Sequence, residues 1–275
     1  MTAAYTSHRL TEDLRSLGLR PGDIVLVHSS LRRIGPTERG AATVVDALRA
    51  AVGPEGTIVV PTFTAANSLT SPIYRERTRG MTAQEIDAFK ETMPGFDPAT
   101  TPSDGMGVVA ELLRQMPGTR RSAHPQTSLA ASGPKAAELT RDHPLDCHLG
   151  EASPLGRLCQ AGARVLLLGV GFESCTAFHL GEYRLPHPPP RRYDCVVADG
   201  RPVGGNPGRQ WVWFEDVALD DGDFARLGAW LERRRTDAGA SVVRRGRVGG
   251  GIARLLPLAD SVNLAVEWFK EHRTG

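Results

Sequence analysis

The sequence predicts an α/β fold: a mixed, mostly parallel sheet flanked by helices, with a long loop and helical insertion and an antiparallel C-terminal addition. Short apolar runs typical of buried parallel strands alternate with amphipathic helical segments, which is the pattern of a parallel sheet. Two of these runs end in polar or glycine-rich turns, VHSS and LGVG, as strands do at a ligand-binding sheet edge. The 275 residues are 40% hydrophobic, which is enough for one large domain or two closely packed ones. We take residues 1–275 as a single domain.

The elements follow from apolar spacing and from capping and turn residues. The first helix, for example, places Leu10, Leu14 and Leu17 on one face and has acidic residues in its first turn. Helices are predicted at 7–19, 41–52, 82–91, 107–116, 134–140, 153–160, 176–183, 223–238 and 260–273. Strands are predicted at 24–27, 56–64, 127–131, 165–168, 191–197, 209–217 and 241–248, with a turn in the RVGGG segment.

Two parts of the chain depart from this alternation. Residues 65–104 show no clear core element except the short helix at 82–91. Insertions of this length are usually functional or disordered, and because this one follows a strand we expect it to cover a substrate. The strands at 191–197 and 209–217 are separated by a hairpin-like loop, GRPVGGNPG, so we expect them to add to the sheet in antiparallel fashion.

Composition excludes several classes of protein. The net charge of +2 offers no bulk attraction to nucleic acid or to an anionic membrane. The N-terminal residues lack the apolar segment of a signal peptide, and no apolar run approaches the roughly 20 residues of a membrane-spanning helix. The four cysteines show no CxxC pairing. We expect a soluble cytoplasmic protein without structural disulfides, either a monomer or a homodimer.

The pair His179 and Glu182 is the first candidate for catalysis. It follows the apolar run 165–168 and the glycines Gly169 and Gly171, so it lies beyond the carboxyl end of a predicted strand. On a helix these two residues share a face at a spacing of three. A carboxylate then orients the imidazole and stabilises its protonated form, which favours a general base. The alternative is a helix-start histidine with an incidental glutamate.

Two basic, donor-rich turns, at 27–35 and 117–125, are candidates for phosphate binding. Neither contains a Walker loop, and GVGF lacks the third glycine of a dinucleotide fingerprint. The alternative is a solvated basic surface. The side chains concerned are Ser29, Ser30, Arg32 and Arg33.

Other polar residues lie at predicted strand ends. His28 follows the first strand and either faces the site or packs beneath the next loop. Glu215 and Asp216 follow the aromatic run WVWF and place a carboxylate at another sheet edge or form an exposed acidic pair.

Three further chemistries have partial signals or none in the sequence. His143, Cys147 and His148 have zinc-ligand types, but no second cluster appears at zinc-finger spacing, so no metal site is predicted. Cys175 and His179 lie four residues apart, which allows a Cys–His nucleophile pair without being diagnostic. The G-x-S-x-G motif of a serine hydrolase is absent.

Taken together, the segments resemble the aminoglycoside N(3)-acetyltransferase family, the antibiotic acetyltransferases distinct from the GNAT fold. The matching segments are GDIVLVHSSLRRIG, GTIVVPTFT, the PSDGMGVVAELLRQMPGTRRSAHPQTSLAASG block, HLGEASPLGRLCQAGARVLLLGVGFESCTAFHLGEY, WFEDV and RRGRVGGGIARLLPLADSVNLAVEW. They cover nearly the whole chain in order. The set RS-x-HP-x-x-S-x-A, G-x-SP and T-x-x-H-x-x-E is specific in combination, although each motif alone is weak.

The resemblance implies direct acetyl transfer from acetyl-CoA, as co-substrate, to a small-molecule amine, usually the 3-amino group of a 2-deoxystreptamine aminoglycoside. The implied catalytic residues are His179, Glu182 and Glu215. The implied cofactor-binding residues are His28, Ser29, Ser30, Leu31, Arg32, Met106, Gly107 and Arg121. Asp104, Thr176 and Asp216 are implied on the substrate side, and either Glu215 or Asp216 matches an acidic position near the amine.

An ammonium cannot attack a thioester, so a base must first remove a proton, and His179 is the candidate. Backbone N–H groups near Thr176 or in the turn at 29–30 would stabilise the oxyanion. Two alternatives remain open: a transferase acting on a different biosynthetic amine, and a non-catalytic ligand-binding protein. A metal hydrolase is a more distant alternative.

Overall fold

The computed structural model describes residues 3–203, 206–235 and 239–273, and its centre is a seven-stranded mixed sheet. The strands are β1 (Ile24–Ser29), β2 (Thr57–Pro61), β3 (Arg120–Arg121), β4 (Leu129–Ser132), β5 (Arg164–Leu168), β6 (Pro190–Val203), β7 (Asn206–Val217), β8 (Arg244–Val248) and β9 (Gly251–Pro257). Their order in the sheet is β3-β4-β2-β1-β5-β9-β8, and β6 and β7 form a separate two-stranded sheet.

Helices cover both faces of the central sheet, so apolar side chains alternate between two buried cores. In β5, Val165 and Leu167 enter one core, while Leu166 and Leu168 enter the other. The helices are α1 (Ser7–Leu17), α2 (Leu31–Ile34), α3 (Ala41–Val52), α4 (Pro72–Arg77), α5 (Ala83–Thr92), α6 (Val108–Gln115), α7 (Ala136–Thr140), α8 (Pro154–Gln160), α9 (Ala177–Tyr183), α10 (Phe224–Leu231) and α11 (Leu258–His272). Of the helices described, none is long and apolar enough to cross a membrane.

The predicted α/β class with a mixed sheet is confirmed, but the balance of strand directions differs from expectation. Strand β1 is parallel to β2 and to β5, whereas the other neighbouring pairs are antiparallel. The antiparallel C-terminal edge is built by β9 and β8. We did not predict β9, because we assigned the glycines before it to a turn and did not recognise the apolar run after them as a strand.

The prediction that 191–197 and 209–217 add to the main sheet is wrong. They pair with each other, from Pro190 opposite Val217 onward, as a ribbon outside it. Part of the predicted connecting loop, residues 204–205, lies outside the described residues. The predicted helix at 223–238 ends as α10 at Leu231, and residues 236–238 of that prediction also lie outside the described residues.

The segment 65–104 contains α4, α5 and a 3-10 turn, and it packs against the ribbon. Tyr74 and Met93 form a small buried cluster with Val196 of β6. The Asn67 side chain donates to the Val196 carbonyl and accepts from its N–H, both at 2.8 Å. These contacts attach the segment to the ribbon.

Candidate active site

The carboxyl ends of β1 and β5 lie side by side and form the floor of the candidate site. Ser29 is opposite Leu168 in the parallel register, and the Ser30 N–H donates to the Leu168 carbonyl at 2.9 Å. Gly169 follows with φ of 72°, and a Cβ there would lie 2.9 Å from the Arg33 Cβ. Glycine at this position therefore lets the two strand-end turns approach each other.

His179 and Glu182 are brought together by one turn of α9. The Nδ1 atom of His179 is 2.6 Å from the Glu182 Oε2 atom, and the two side chains are 12% and 3% exposed. Because Nδ1 is engaged by the carboxylate, Nε2 is the nitrogen available to a ligand. The His179 ring is held from the other side by Phe224, with ring centroids 4.7 Å apart.

A cavity of about 320 Å³ opens onto His179 at the strand ends. Five residues predicted for the site line this cavity: His28, Ser29, Met106, Thr176 and His179. The lining residues that were not singled out from the sequence include Phe63, Glu173, Asp221 and Phe224. Asp221 and Glu173 are exposed carboxylates, so the mouth of the cavity is acidic. These two carboxylates become candidates for the site only through their position at the cavity that His179 lines. The segments that carry them have no recognisable sequence motif.

His28 is buried beside this cavity as a neutral imidazole. It is 6% exposed, and within the described chain its Nε2 atom is buried without a hydrogen-bond partner. Burial, together with the nearby charge of His179, lowers the pKa of His28 to about 4. At neutral pH His28 therefore adds no positive charge beside His179.

A second cavity of about 560 Å³ adjoins the first, with Val170 and Glu173 lining both. The turn after β1 separates them, since Ser29 lines the first cavity and Ser30 the second. Four arginines surround the second cavity: Arg32, Arg33, Arg247 and Arg254. Leu31 and Arg32 are the first residues of α2, where N–H groups have no partner within the helix. The arrangement suits an anion such as a phosphate.

Arg121, predicted at the cofactor site, lines neither cavity. Its guanidinium donates to Thr62 and Ser128 of the β2–β4 side and to the Thr101 carbonyl of the insertion, and it stacks on the Phe96 ring at 5.0 Å. Each of its three nitrogens is thus used to attach the insertion to the sheet. These contacts give Arg121 a structural role, and its predicted contact with a cofactor stays a prediction.

Asp104 and Gly107 flank the lining residue Met106. Asp104 accepts from the Ala66 N–H at 2.9 Å and borders a smaller cavity of about 190 Å³ beneath the insertion. Gly107 precedes α6 with φ of 85°, and a Cβ there would lie 3.6 Å from the Ser29 carbonyl oxygen. The two residues therefore hold the chain on either side of Met106.

Glu215 and Asp216 are separated by the ribbon, and neither lines the His179 cavity. Glu215 is exposed opposite Arg192 in the strand register. Asp216 is 5% exposed, and its Oδ2 atom is 2.7 Å from the His148 Nδ1 atom. It also accepts from the Tyr183 hydroxyl. Although burial opposes ionisation, these hydrogen bonds lower the pKa of Asp216, so its charge holds α9 in place through Tyr183.

The described side chains are not arranged as a metal site or as a cysteine–histidine nucleophile pair would require. Among residues 3–203, 206–235 and 239–273, no group of three His, Cys, Asp or Glu side chains is arranged to hold a metal ion. The His143 Nδ1 atom bonds the Ser122 hydroxyl, and its Nε2 atom bonds main-chain carbonyls. Cys175 is fully buried, and burial raises the pKa of its thiol to about 12, which disfavours a thiolate nucleophile.

Comparison with known proteins identifies the family. A family model described as aminoglycoside 3-N-acetyltransferase matches residues 26–270. The SPbeta prophage-derived aminoglycoside N(3')-acetyltransferase-like protein YokD of Bacillus subtilis is 37% identical over 98% of this chain and 93% of its own length. Aminoglycoside N(3)-acetyltransferase III of Serratia marcescens is 38% identical over 97% of this chain and 98% of its own.

Solved structures agree. The crystal structure of YokD from Bacillus subtilis superposes with a TM-score of 0.87 at 35% identity, covering 99% of this chain and 96% of that one. AAC-IIIb, in a binary complex with CoASH, has a TM-score of 0.81 at 30% identity and covers 99% and 98%. AAC-VIa, bound to sisomicin, has a TM-score of 0.80 at 34% identity and covers 98% of each chain. The chain belongs to the aminoglycoside 3-N-acetyltransferase family, whose members are transferases, as the sequence motifs predicted.

Because several histidines are buried, we expect the folded protein to become less stable in acid. Burial lowers the pKa of four of them below 6.5, to about 4 for two; they are His28, His124, His143 and His148. Between these values the unfolded chain binds protons that the folded chain does not. The free energy of unfolding therefore falls as pH drops from 6.5 toward 4, by up to about 1.4 kcal/mol per pH unit for each histidine. Urea unfolding at pH 7.5 and pH 5 measures this.

The variant His143→Gln should flatten this pH dependence by the contribution of one histidine, because glutamine takes up no proton. His8→Gln is the matched control, since His8 is exposed on α1 with a side chain 84% accessible and its replacement should leave the slope unchanged. Equal stability of the wild-type protein at pH 7.5 and pH 5 would contradict the assignment.

Proposed function

We propose that the protein transfers the acetyl group of acetyl-CoA to the 3-amino group of 2-deoxystreptamine aminoglycosides, with His179 as general base. The observation that carries the proposal is the placement of the His179–Glu182 pair. His179 of this pair lines one cavity, and that cavity also has carboxylates in its lining. The adjoining cavity is lined by arginines. A general base, a site for an anion and a site for a cation are therefore adjacent. Acetyl transfer from a phosphorylated donor to a cationic acceptor requires these three sites side by side.

His179 supports the chemistry through its two nitrogens. Nε2 takes a proton from the acceptor ammonium, and the free amine attacks the thioester carbon to give a tetrahedral adduct with a cationic nitrogen. The carbon–sulfur bond then breaks, the nitrogen loses its surplus proton to leave the amide, and that proton neutralises the departing thiolate. Glu182, bonded to Nδ1, orients the ring and stabilises the imidazolium that forms. Thr176, at the start of α9 and lining the same cavity, is proposed to donate to the oxyanion.

The arginine-lined cavity is proposed for the phosphates of acetyl-CoA. Arg32 and Arg33 leave the turn after β1, and Arg247 approaches from the β8–β9 edge. Guanidinium groups and free N–H groups are the usual partners of phosphate. A donor held there would pass Val170, which lines both cavities, to bring its thioester to His179. The related AAC-IIIb was solved with CoASH, which supports acetyl-CoA as the donor.

The acceptor is proposed to enter from the acidic side, where Asp221 and Glu173 line the cavity. Carboxylates attract the ammonium groups of a polycationic aminoglycoside. The insertion at 65–104 is proposed to cover the bound acceptor, with Asp104 on its inner edge. The sisomicin complex of the related AAC-VIa supports this class of acceptor.

One observation favours a less cationic amine as the alternative acceptor. Several acids of the insertion are already paired with bases: Glu76 with Arg79, Asp87 with Lys90, and Glu91 with Arg209. These pairs leave less free negative charge for a polycation. Transfer to a simple biosynthetic amine, and none to aminoglycosides, would select this alternative.

Thiol release from acetyl-CoA, measured with a panel of 2-deoxystreptamine aminoglycosides and simple amines, tests the proposal. We expect release with the aminoglycosides. The variant His179→Ala should lower kcat by about 10²–10⁴-fold, the usual contribution of a general base, while CoA binding measured by calorimetry persists. His187→Ala is the control, because His187 is exposed just beyond α9. Near-normal turnover of His179→Ala would refute the general-base assignment.

The two sides of the site should respond separately to substitution. Asp221→Asn removes a carboxylate from the acceptor side and is expected to raise KM for the aminoglycoside about 10-fold, leaving KM for acetyl-CoA unchanged. Arg33→Ala should instead raise KM for acetyl-CoA and leave KM for the aminoglycoside unchanged. This effect should become smaller at high salt, because exposed charges are screened. Steady-state kinetics with each substrate varied in turn makes the comparison. If both variants shifted the same KM, the proposed division of the site would be incorrect.

A further inference from the structure

Arg273, at the end of α11, lies behind the candidate catalytic pair and contacts it through Glu182. Its side chain is 19% exposed, and its Nη1 atom is 2.5 Å from the Glu182 Oε1 atom. The other two nitrogens bind Asp223 at 2.5 and 2.7 Å, and Nη2 also donates to the Asp220 carbonyl at 2.6 Å. The guanidinium stacks on Phe269, 4.0 Å from the ring centroid.

Both oxygens of Glu182 are consequently occupied. Oε2 meets the Nδ1 atom of His179 at 2.6 Å, while Oε1 accepts from Arg273 and from the Asp220 N–H at 3.0 Å. With three donors around it, the carboxylate is held in one orientation. That orientation directs Oε2 at the imidazole and so determines where His179 presents its free nitrogen.

The charge of Arg273 is as relevant as its geometry. Glu182 is 2% exposed, and a buried carboxylate is costly without an opposite charge beside it. Arg273 supplies that charge permanently, whereas His179 supplies it only while protonated. The carboxylate therefore has a stable partner through the whole reaction cycle, including the steps in which His179 is neutral.

The packing of α9 on α11 places Arg273 there. Gly181 is buried in the contact, and a Cβ at this position would lie 3.2 Å from atoms of Ala265 and Phe269. The close approach of the two helices brings the end of α11 to Glu182. Asp223, at the start of α10, then anchors the far side of the guanidinium through a two-point contact, the geometry that arginine provides and lysine does not.

We propose that Arg273 is a positioning residue for acetyl transfer, acting through Glu182 to hold the His179 imidazole in its productive orientation. The inference rests on the proposed function of His179. It adds a residue that touches neither substrate and lies 91 positions along the chain from its partner, and it makes the end of α11 part of the catalytic apparatus.

The test compares kcat and KM of Arg273→Met and of the wild-type protein in the thiol-release assay. We expect kcat to fall by about 10- to 100-fold, a part of the roughly 10²–10⁴-fold that a general base supplies, with KM for both substrates within about 3-fold. Arg184→Met is the matched control. It also removes an arginine ion pair next to α9, that of Arg184 with Glu151 at 2.7 Å, but it should leave kcat unchanged.

A double-mutant comparison separates positioning from loss of structure. In a Glu182→Gln background, Arg273→Met should reduce kcat by less than about 3-fold further, because the carboxylate through which it acts is already absent. An equal loss in both backgrounds would overturn the inference. Thermal unfolding accompanies each variant, and if Arg273→Met does not fold, Arg273→Lys takes its place with an expected smaller loss of kcat.

The outcomes also distinguish this inference from the function on which it rests. Normal kcat in Arg273→Met together with an inactive His179→Ala would overturn the positioning role and leave the proposed reaction intact. Normal turnover in His179→Ala would overturn the reaction mechanism itself, and the role of Arg273 with it.

Discussion

The parallel pairing of β1 with β5 is the constraint on which the candidate site depends. Parallel strands end at the same sheet edge, so the turn that follows Ser29 and the loop that follows Leu168 are forced together. The hydrogen bond from Ser30 to Leu168 extends the register by one residue beyond the strands. Residues from both of these connections line the two cavities.

Helix α9 must then be held in one place, and polar contacts from distant segments hold it. At Glu182 it is bound by the loop after β7 and by Arg273. At the next residue, the Tyr183 hydroxyl donates to Asp216 of the ribbon. Hydrogen bonds to buried ionised groups are stronger than average and directional. They fix the rotation of a seven-residue helix that is too short to be stable alone.

Residues of the candidate site could be predicted where their interactions are local along the chain. They could not be predicted where the interaction joins segments that are distant in sequence. The pair at 179 and 182 was recognisable because its spacing is that of one helical turn, and the HSS turn because it directly follows an apolar strand. Asp221 and Arg273 were not recognised, since their relation to α9 exists only in the packed fold. Strand β9 was missed for a local reason: the glycines before it resemble a turn, and its apolar run of LLP is short.

Asp216, which follows an aromatic strand, has surroundings that the sequence did not reveal. Its sequence neighbourhood did not distinguish a substrate contact from a structural charge. In the structure Asp216 is buried with His148 and Tyr183: its side chain is 5% exposed, and it accepts three hydrogen bonds at Oδ2 and one from the Val217 N–H at Oδ1. The carboxylates at 173 and 221 are exposed instead, so a cationic ligand reaches them more easily. Burial alone therefore does not divide these residues by role, because Glu182 is as buried as Asp216. The difference lies in what each carboxylate contacts: Glu182 meets the imidazole that lines the cavity, whereas Asp216 meets His148 and Tyr183 away from it.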